Sequence, residues 1–155
     1  MLKQSWLNVA LYEPEIPQNT GNIGRTCVAL QARLWLIQPI GFRLDEKRLR
    51  RAGLDYWEHL DYQVAADWAS LLEQLDPNAQ VWLFTKHASR SYLQADFLPG
   101  DLLVFGSEAR GLPQSLRTQY AEHNLAIPTP GPVRSLNLAS AAAVAMYEAH
   151  RQIQP

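Results

Sequence analysis

Short runs of apolar, β-favouring residues recur along this chain, and the segments between them read as helical. The runs are Leu7–Tyr12, Leu34–Ile37, Val81–Thr85, Leu102–Phe105 and Leu125–Ile127, with a weaker one at Leu60–Val64. Helical segments fall at Thr20–Ala32, Asp45–Ala52, Asp67–Leu75, Gln114–Gln119 and Leu138–Ile153. Strands that alternate with helices build βα units and a mostly parallel sheet. Most of these runs are largely apolar, which suits a sheet covered on both faces. The expected fold class is α/β, a mostly parallel sheet flanked by helices. No internal repeat or long linker interrupts the pattern, so residues 1–155 are expected to form a single domain.

Charge and cysteine usage narrow the function. A net charge of −1 excludes a strongly basic protein that coats nucleic acid. The basic residues are uneven, however, and Arg43, Lys47, Arg48, Arg50 and Arg51 crowd into one segment, so any RNA contact should be local. The single cysteine, Cys27, cannot form an intrachain disulfide. With no apolar leader at Met1–Trp6, a cytoplasmic location is expected. The longest apolar stretch, Leu138–Tyr147, is too short and Ala-rich to span a bilayer, so no membrane contact is expected. His59, His87, His123 and His150 are scattered, and no metal site is expected.

Ligands of open α/β sheets bind beyond the carboxyl ends of the strands. Three of the loops there have unusual chemistry. Loop one, Glu13 to Arg25, is stiffened by Pro14 and Pro17 and offers Asn19 or Thr20 as a helix cap. Gly21 and Gly24 follow one turn apart, where close backbone approach would explain them, and Arg25 stands next to them. Loop two runs from the strand end at Phe105 through Gly106, Glu108, Arg110 and Gly111 to Leu112-Pro113. Glycine at a strand end lets a ligand approach the backbone. Loop three, Ile127 to Asn137, holds Pro128, Pro130 and Pro132 and ends in Arg134-Ser135-Leu136-Asn137. Such a rigid loop loses little entropy when it orders around a ligand. Each loop taken alone also fits an ordinary connection: a capped helix start with a solvated Arg, a βα turn with an internal ion pair, a Pro-rich lead into a buried helix. There is no Walker loop, dinucleotide fingerprint or nucleophile elbow. Cys27 reads as a small buried apolar residue rather than a nucleophile.

In order and together, these loops resemble the three signature motifs of the SPOUT methyltransferases: Pro17-Gln18-Asn19-Thr20-Gly21-Asn22-Ile23-x-Arg25, then Phe105-Gly106-x-Glu108-x-Arg110-Gly111-Leu112-Pro113, then Ile127-Pro128 with Arg134-Ser135-Leu136-Asn137. The likeness continues through Lys47 to Tyr56 and Tyr147-Glu148-Ala149, and so covers nearly the whole chain. It is nearest to the minimal, single-domain members that 2′-O-methylate tRNA at position 34.

The resemblance implies a deep trefoil knot near the C-terminus, a homodimer with Tyr147 in its interface, and S-adenosyl-L-methionine as cofactor without a metal. It implies methyl transfer to a tRNA ribose 2′-hydroxyl at the wobble cytidine or modified uridine; another tRNA position, ribosomal RNA, or a non-catalytic RNA-binding module are the alternatives. Arg25 matches the catalytic arginine. Leu83, Gly106, Ile127, Ser135 and Leu136 match the cofactor contacts, with Glu108 and Asn137 bracing the loops. Arg48, Arg50 and Arg51 are expected to touch tRNA phosphates. Two departures stand out: Gly24 replaces a bulkier apolar residue, and Pro130–Val133 is richer in proline than the pattern.

Overall fold

The computed structural model describes residues 2–45 and 55–154. The backbone forms β1 (Asn8–Tyr12), α1 (Pro17–Leu30), β2 (Arg33–Ile37), a 3-10 turn at Asp55–His59, β3 (Tyr62–Ala65), α2 (Trp68–Leu72), β4 (Val81–Phe84), β5 (Leu102–Phe105), α3 (Gln114–Gln119), β6 (Asn124–Leu125) and α4 (Leu138–Ile153). Short 3-10 turns also occur at Tyr92–Gln94 and Ala121–His123. Six strands make one sheet in the order β3-β2-β1-β5-β4-β6, and every pairing is parallel. The parallel α/β fold read from the sequence is thus the fold observed.

Side chains on a strand alternate between faces, and here both faces are buried. Val9, Leu11, Leu34, Leu36, Leu103 and Phe105 share one core with Ile23 and Cys27 of α1 and with Ala142, Ala145, Met146 and Ala149 of α4. Ala10, Trp35, Ile37, Leu83, Leu102 and Val104 share the other with Leu71 of α2 and Leu116 of α3. That double burial is why β4 and β5 read as unbroken apolar runs, whereas the edge strand β3 leaves Val64 exposed. Burial pushes the Cys27 thiol up to about 12, which leaves it a packing residue.

Boundaries moved where local chemistry overrode periodicity. α1 begins at Pro17, before the expected Thr20, with Ile16 as an extended N-cap and no side-chain cap. Proline is suited to the first helical position because its missing N–H would have no helical partner. Asn19 and Thr20 therefore lie inside the first turn instead of capping it. The weak strand starts at Tyr62 rather than Leu60, because Leu60 packs down on Gly24. α2 stops at Leu72, after which Gln74 and Leu75 donate to carbonyls three residues back, in the tighter 3-10 manner. β6 ends at Leu125, while Ala126 bridges to Ser91. α4 has the expected limits: Asn137 accepts from the N–H groups of Ala139 and Ser140 at 2.9 and 3.3 Å. Of the helix expected over Asp45–Ala52, residues 46–52 lie outside the described residues.

The strand order places the site. After β1 the chain runs outward through β2 to β3, and after β5 it runs the other way to β6. β1 and β5 are neighbours, so the loops that follow them diverge at one crevice, the usual ligand position in such sheets.

Candidate active site at the carboxyl ends of the strands

Loop two is folded tightly against itself. A Cβ on Gly106 would collide with the backbone of Gly111 and Leu112. Glycine is required there by the loop's own packing, besides the close ligand approach that glycine at a strand end allows. Gly111 has φ +65°, a left-handed conformation that costs glycine little. The turn aims Glu108 at loop one. Its carboxylate accepts from the N–H groups of Glu15 and Ile16 at 2.9 and 3.0 Å and from Asn19 Nδ2 at 3.3 Å. Asn19 Oδ1 accepts in turn from Asn137 Nδ2 at 3.1 Å. Asn19 is only 7% exposed. One side chain therefore ties together all three unusual loops, and the bracing expected of Glu108 and Asn137 is present.

Inside this frame lies a cavity of about 600 Å³, a volume usual for small-molecule sites. Phe84 and Phe105, stacked with ring centroids 4.8 Å apart, line it together with Leu125. Gly106, Ile127, Ser135 and Leu136, four of the five expected cofactor contacts, line it as well. Leu83 does not. It is wholly buried on the opposite face, because strand alternation sends Phe84, not Leu83, toward the cavity side. Sequence reasoning missed Thr85, Lys86 and His87, which also line the cavity. Their only signal was position directly after a strand. Three glycine- and proline-shaped loops over an aromatic floor fit a nucleoside-bearing cofactor held largely through backbone. Among the described residues no group of three or more His, Cys, Asp or Glu could hold a metal ion.

Arg25 is held apart from that cavity. It is exposed on α1 and is absent from the cavity lining. Its Cζ lies 5.9 Å from the centroid of the Tyr56 ring, within cation–π range. The Tyr56 hydroxyl donates to the Gly21 carbonyl. Burial raises the pKa of Tyr56, Arg25 opposes that rise, and Asp55 adds to it. Beside it, a Cβ on Gly24 would lie 3.1 Å from Leu60 Cδ2 and 3.2 Å from Trp57 Cζ3. Gly24, the departure noted in the sequence, is thus the seat on which the 3-10 turn docks. Arg48, Arg50 and Arg51 lie outside the described residues.

A family model described as the SpoU rRNA methylase family matches residues 6–147. The chain belongs to that family. A relative from Methylovorus glucosotrophus (strain SIP3-4), named tRNA (cytidine(34)-2′-O)-methyltransferase, is 46% identical over 94% of this chain and 94% of its own length. A solved structure described as giving insights into the 2-OH methylation of C/U34 on tRNA superposes with a TM-score of 0.90 and 49% identity, covering 96% of each chain. The SpoU methyltransferase AviRb from Streptomyces viridochromogenes, solved with AdoMet, superposes with a TM-score of 0.81 at 26% identity over 97% of this chain and 62% of that one. This chain is a methyltransferase of a family that binds AdoMet.

Proposed function

We propose that this chain transfers a methyl group from S-adenosylmethionine to the ribose 2′-hydroxyl of tRNA nucleotide 34, a cytidine or modified uridine. The observation that carries this reading is the convergence of loops one, two and three, through Asn19, around one cavity at the β1–β5 crevice. The relatives named above support the substrate.

When bound, S-adenosylmethionine supplies a methyl on an electrophilic sulfonium, so positioning is the main task left to the protein. Gly106, Ile127, Ser135 and Leu136 hold the cofactor from the loops, and Phe84 and Phe105 offer an aromatic surface to its base. Leu83 acts from beneath by fixing Phe84. The guanidinium of Arg25 offers hydrogen-bond donors and no acceptor. It orients the phosphate beside the target ribose and stabilises charge developing on the 2′-oxygen. Because Arg25 stands outside the cavity of its own chain, a homodimer completes the site in this reading, each copy presenting Arg25 to its partner. Support comes from the exposed apolar side chains of Val144 and Tyr147 on α4 and of Val133 and Leu136 on loop three. The same reading takes loops two and three with α4 as forming the family's trefoil knot, the chain as one domain, and the cytoplasm, where tRNA is used, as its location.

The test is methyl transfer from labelled cofactor to bulk tRNA, with mapping of the modified ribose. A label at ribose 34 is expected, whereas a label on ribosomal RNA or at another tRNA position would redirect the reading. Arg25→Ala should lower transfer by about a thousandfold, the scale of losing one charge-stabilising donor. Binding of S-adenosylhomocysteine should persist, and loss of both together would remove Arg25 from the catalytic role.

A further inference from the structure

Among the described residues, four guanidinium groups remote from the cavity are engaged in hydrogen bonds or ion pairs: Arg33 pairs with Asp61 at 2.9 Å, Arg151 pairs with Glu148 at 2.7 Å, and Arg90 and Arg117 donate to backbone carbonyls. Two others, Arg25 over the Tyr56 ring and Arg43, are exposed on other parts of the surface. The cations that line the cavity are free or nearly so. Among the described residues, Lys86 and Arg134 make no side-chain hydrogen bond or ion pair, and both are exposed. Arg110 has one long contact, 3.7 Å from Glu13, and its side chain is 74% exposed. Among the described residues the only carboxylate lining the cavity is Glu108, and three N–H donors already satisfy it.

Lys86 follows β4, Arg110 follows β5 and Arg134 follows β6, so the three come from separate loops around one mouth. A cofactor with one carboxylate cannot neutralise them all, and S-adenosylmethionine is itself a net cation through its sulfonium and ammonium groups. A polyanion can. We propose that Lys86, Arg110 and Arg134 form a clamp for the RNA phosphates that flank the ribose entering the cavity. The clamp rests on the reading of RNA as substrate. It would be an RNA contact additional to the one expected at Arg48, Arg50 and Arg51, and it lies at the cavity.

The test is the salt dependence of binding to unmodified tRNA, measured by fluorescence anisotropy for the wild-type protein and for Lys86→Ala, Arg110→Ala and Arg134→Ala, singly and combined. Each lost phosphate contact on a single strand should reduce the slope of log affinity against log salt by about 0.7, and the triple variant by about 2. At 0.15 M salt the triple variant should bind roughly 50-fold more weakly, with the difference vanishing toward 1 M. Arg134→Lys should keep the wild-type slope, because the slope counts charge and not shape. Calorimetry with S-adenosylhomocysteine should show unchanged affinity, which also certifies folding. An unchanged slope overturns the clamp. A cofactor affinity that falls while the slope holds also overturns it, by assigning these cations to the cofactor carboxylate. Wild-type protein that neither binds nor methylates tRNA would sink the underlying reading instead, whereas wild-type methylation with an unaltered variant slope sinks only the clamp.

Discussion

The two ends of the sheet are built on opposite terms. At the amino end, buried polar groups satisfy one another. Asp101, 1% exposed, accepts from the N–H groups of Gln80 and Leu98 and from Trp82 Nε1, all within 3.0 Å. Asn8 accepts from Trp35 Nε1 at 3.0 Å and donates to the Gly100 carbonyl at 3.0 Å. Arg33 is held by Asp61 and by the Lys3 carbonyl. At the carboxyl end an inner ring, Glu108–Asn19–Asn137, is closed in the same way, but outside it the chemistry faces outward. Lys86, Arg110 and Arg134 stand in solvent beside the exposed apolar groups Val133 and Leu136. Polar groups that are satisfied internally stabilise the fold, whereas polar and apolar groups left open at a cavity mouth await a ligand.

If that contrast holds, the amino end should govern stability and little else. Asp101→Ala leaves three N–H donors without an acceptor, one of them on a buried indole. It should cost about 4 kcal/mol, since each stranded buried donor carries a penalty of one to a few kcal/mol. Urea unfolding followed by tryptophan fluorescence measures the loss. In the folded fraction, affinity for S-adenosylhomocysteine should match wild type. A large change in affinity would erase the distinction between the two ends.

The inner ring should behave differently. Asn19→Ala removes two hydrogen bonds and cuts the links between loops, and should cost only about 1 kcal/mol of stability. Cofactor affinity should drop about tenfold, because loops two and three would no longer be pre-ordered. Asn19→Asp should be worse than Asn19→Ala, because it sets a second carboxylate against Glu108. Calorimetry and urea unfolding on the same variants separate the two effects. A loss confined to stability would move the ring to the structural side of the comparison.

How much of this was legible in the sequence differs between the ends for the same reason. The strands, the parallel sheet and α4 could be read because they rest on local signals: apolar runs, the Asn137 cap and the alanines that let α4 pack close. Four of the five expected cofactor contacts line the cavity, and proline and glycine mark the loops that bear them. That Phe84 and not Leu83 faces the cavity could not be read, since the parity of a strand buried on both faces leaves no polar–apolar alternation. Lys86 and His87 were passed over because their loop has no glycine or proline to draw notice. The removal of Arg25 from the cavity depends on the course of α1 in space, which no local pattern encodes. The absence of a side chain at Gly24 looked like a defect in the motif because its partners, Trp57 and Leu60, lie more than thirty residues along the chain.

Gly24 offers the finest cut between the two ends, because it is buried yet lies beside Arg25. Alanine there gains about 1 kcal/mol in helix propensity. Against this, its Cβ would meet Leu60 Cδ2 at 3.1 Å and the Trp57 ring at 3.2 Å. The leucine methyl can turn aside, but the indole is rigid and packs at 5.1 Å against Tyr62, so the 3-10 turn must shift by a few tenths of an ångström. The two contributions nearly cancel, and Gly24→Ala should change stability by less than about 1 kcal/mol. The shift carries Tyr56 with it, loosening its hydrogen bond to Gly21 and its contact with Arg25. Methyl transfer should therefore slow several-fold in kcat while S-adenosylhomocysteine binds as before, since no cavity residue moves. A variant that is destabilised but fully active would show that Gly24 serves packing alone, and that Arg25 keeps its place without help from the turn beneath it.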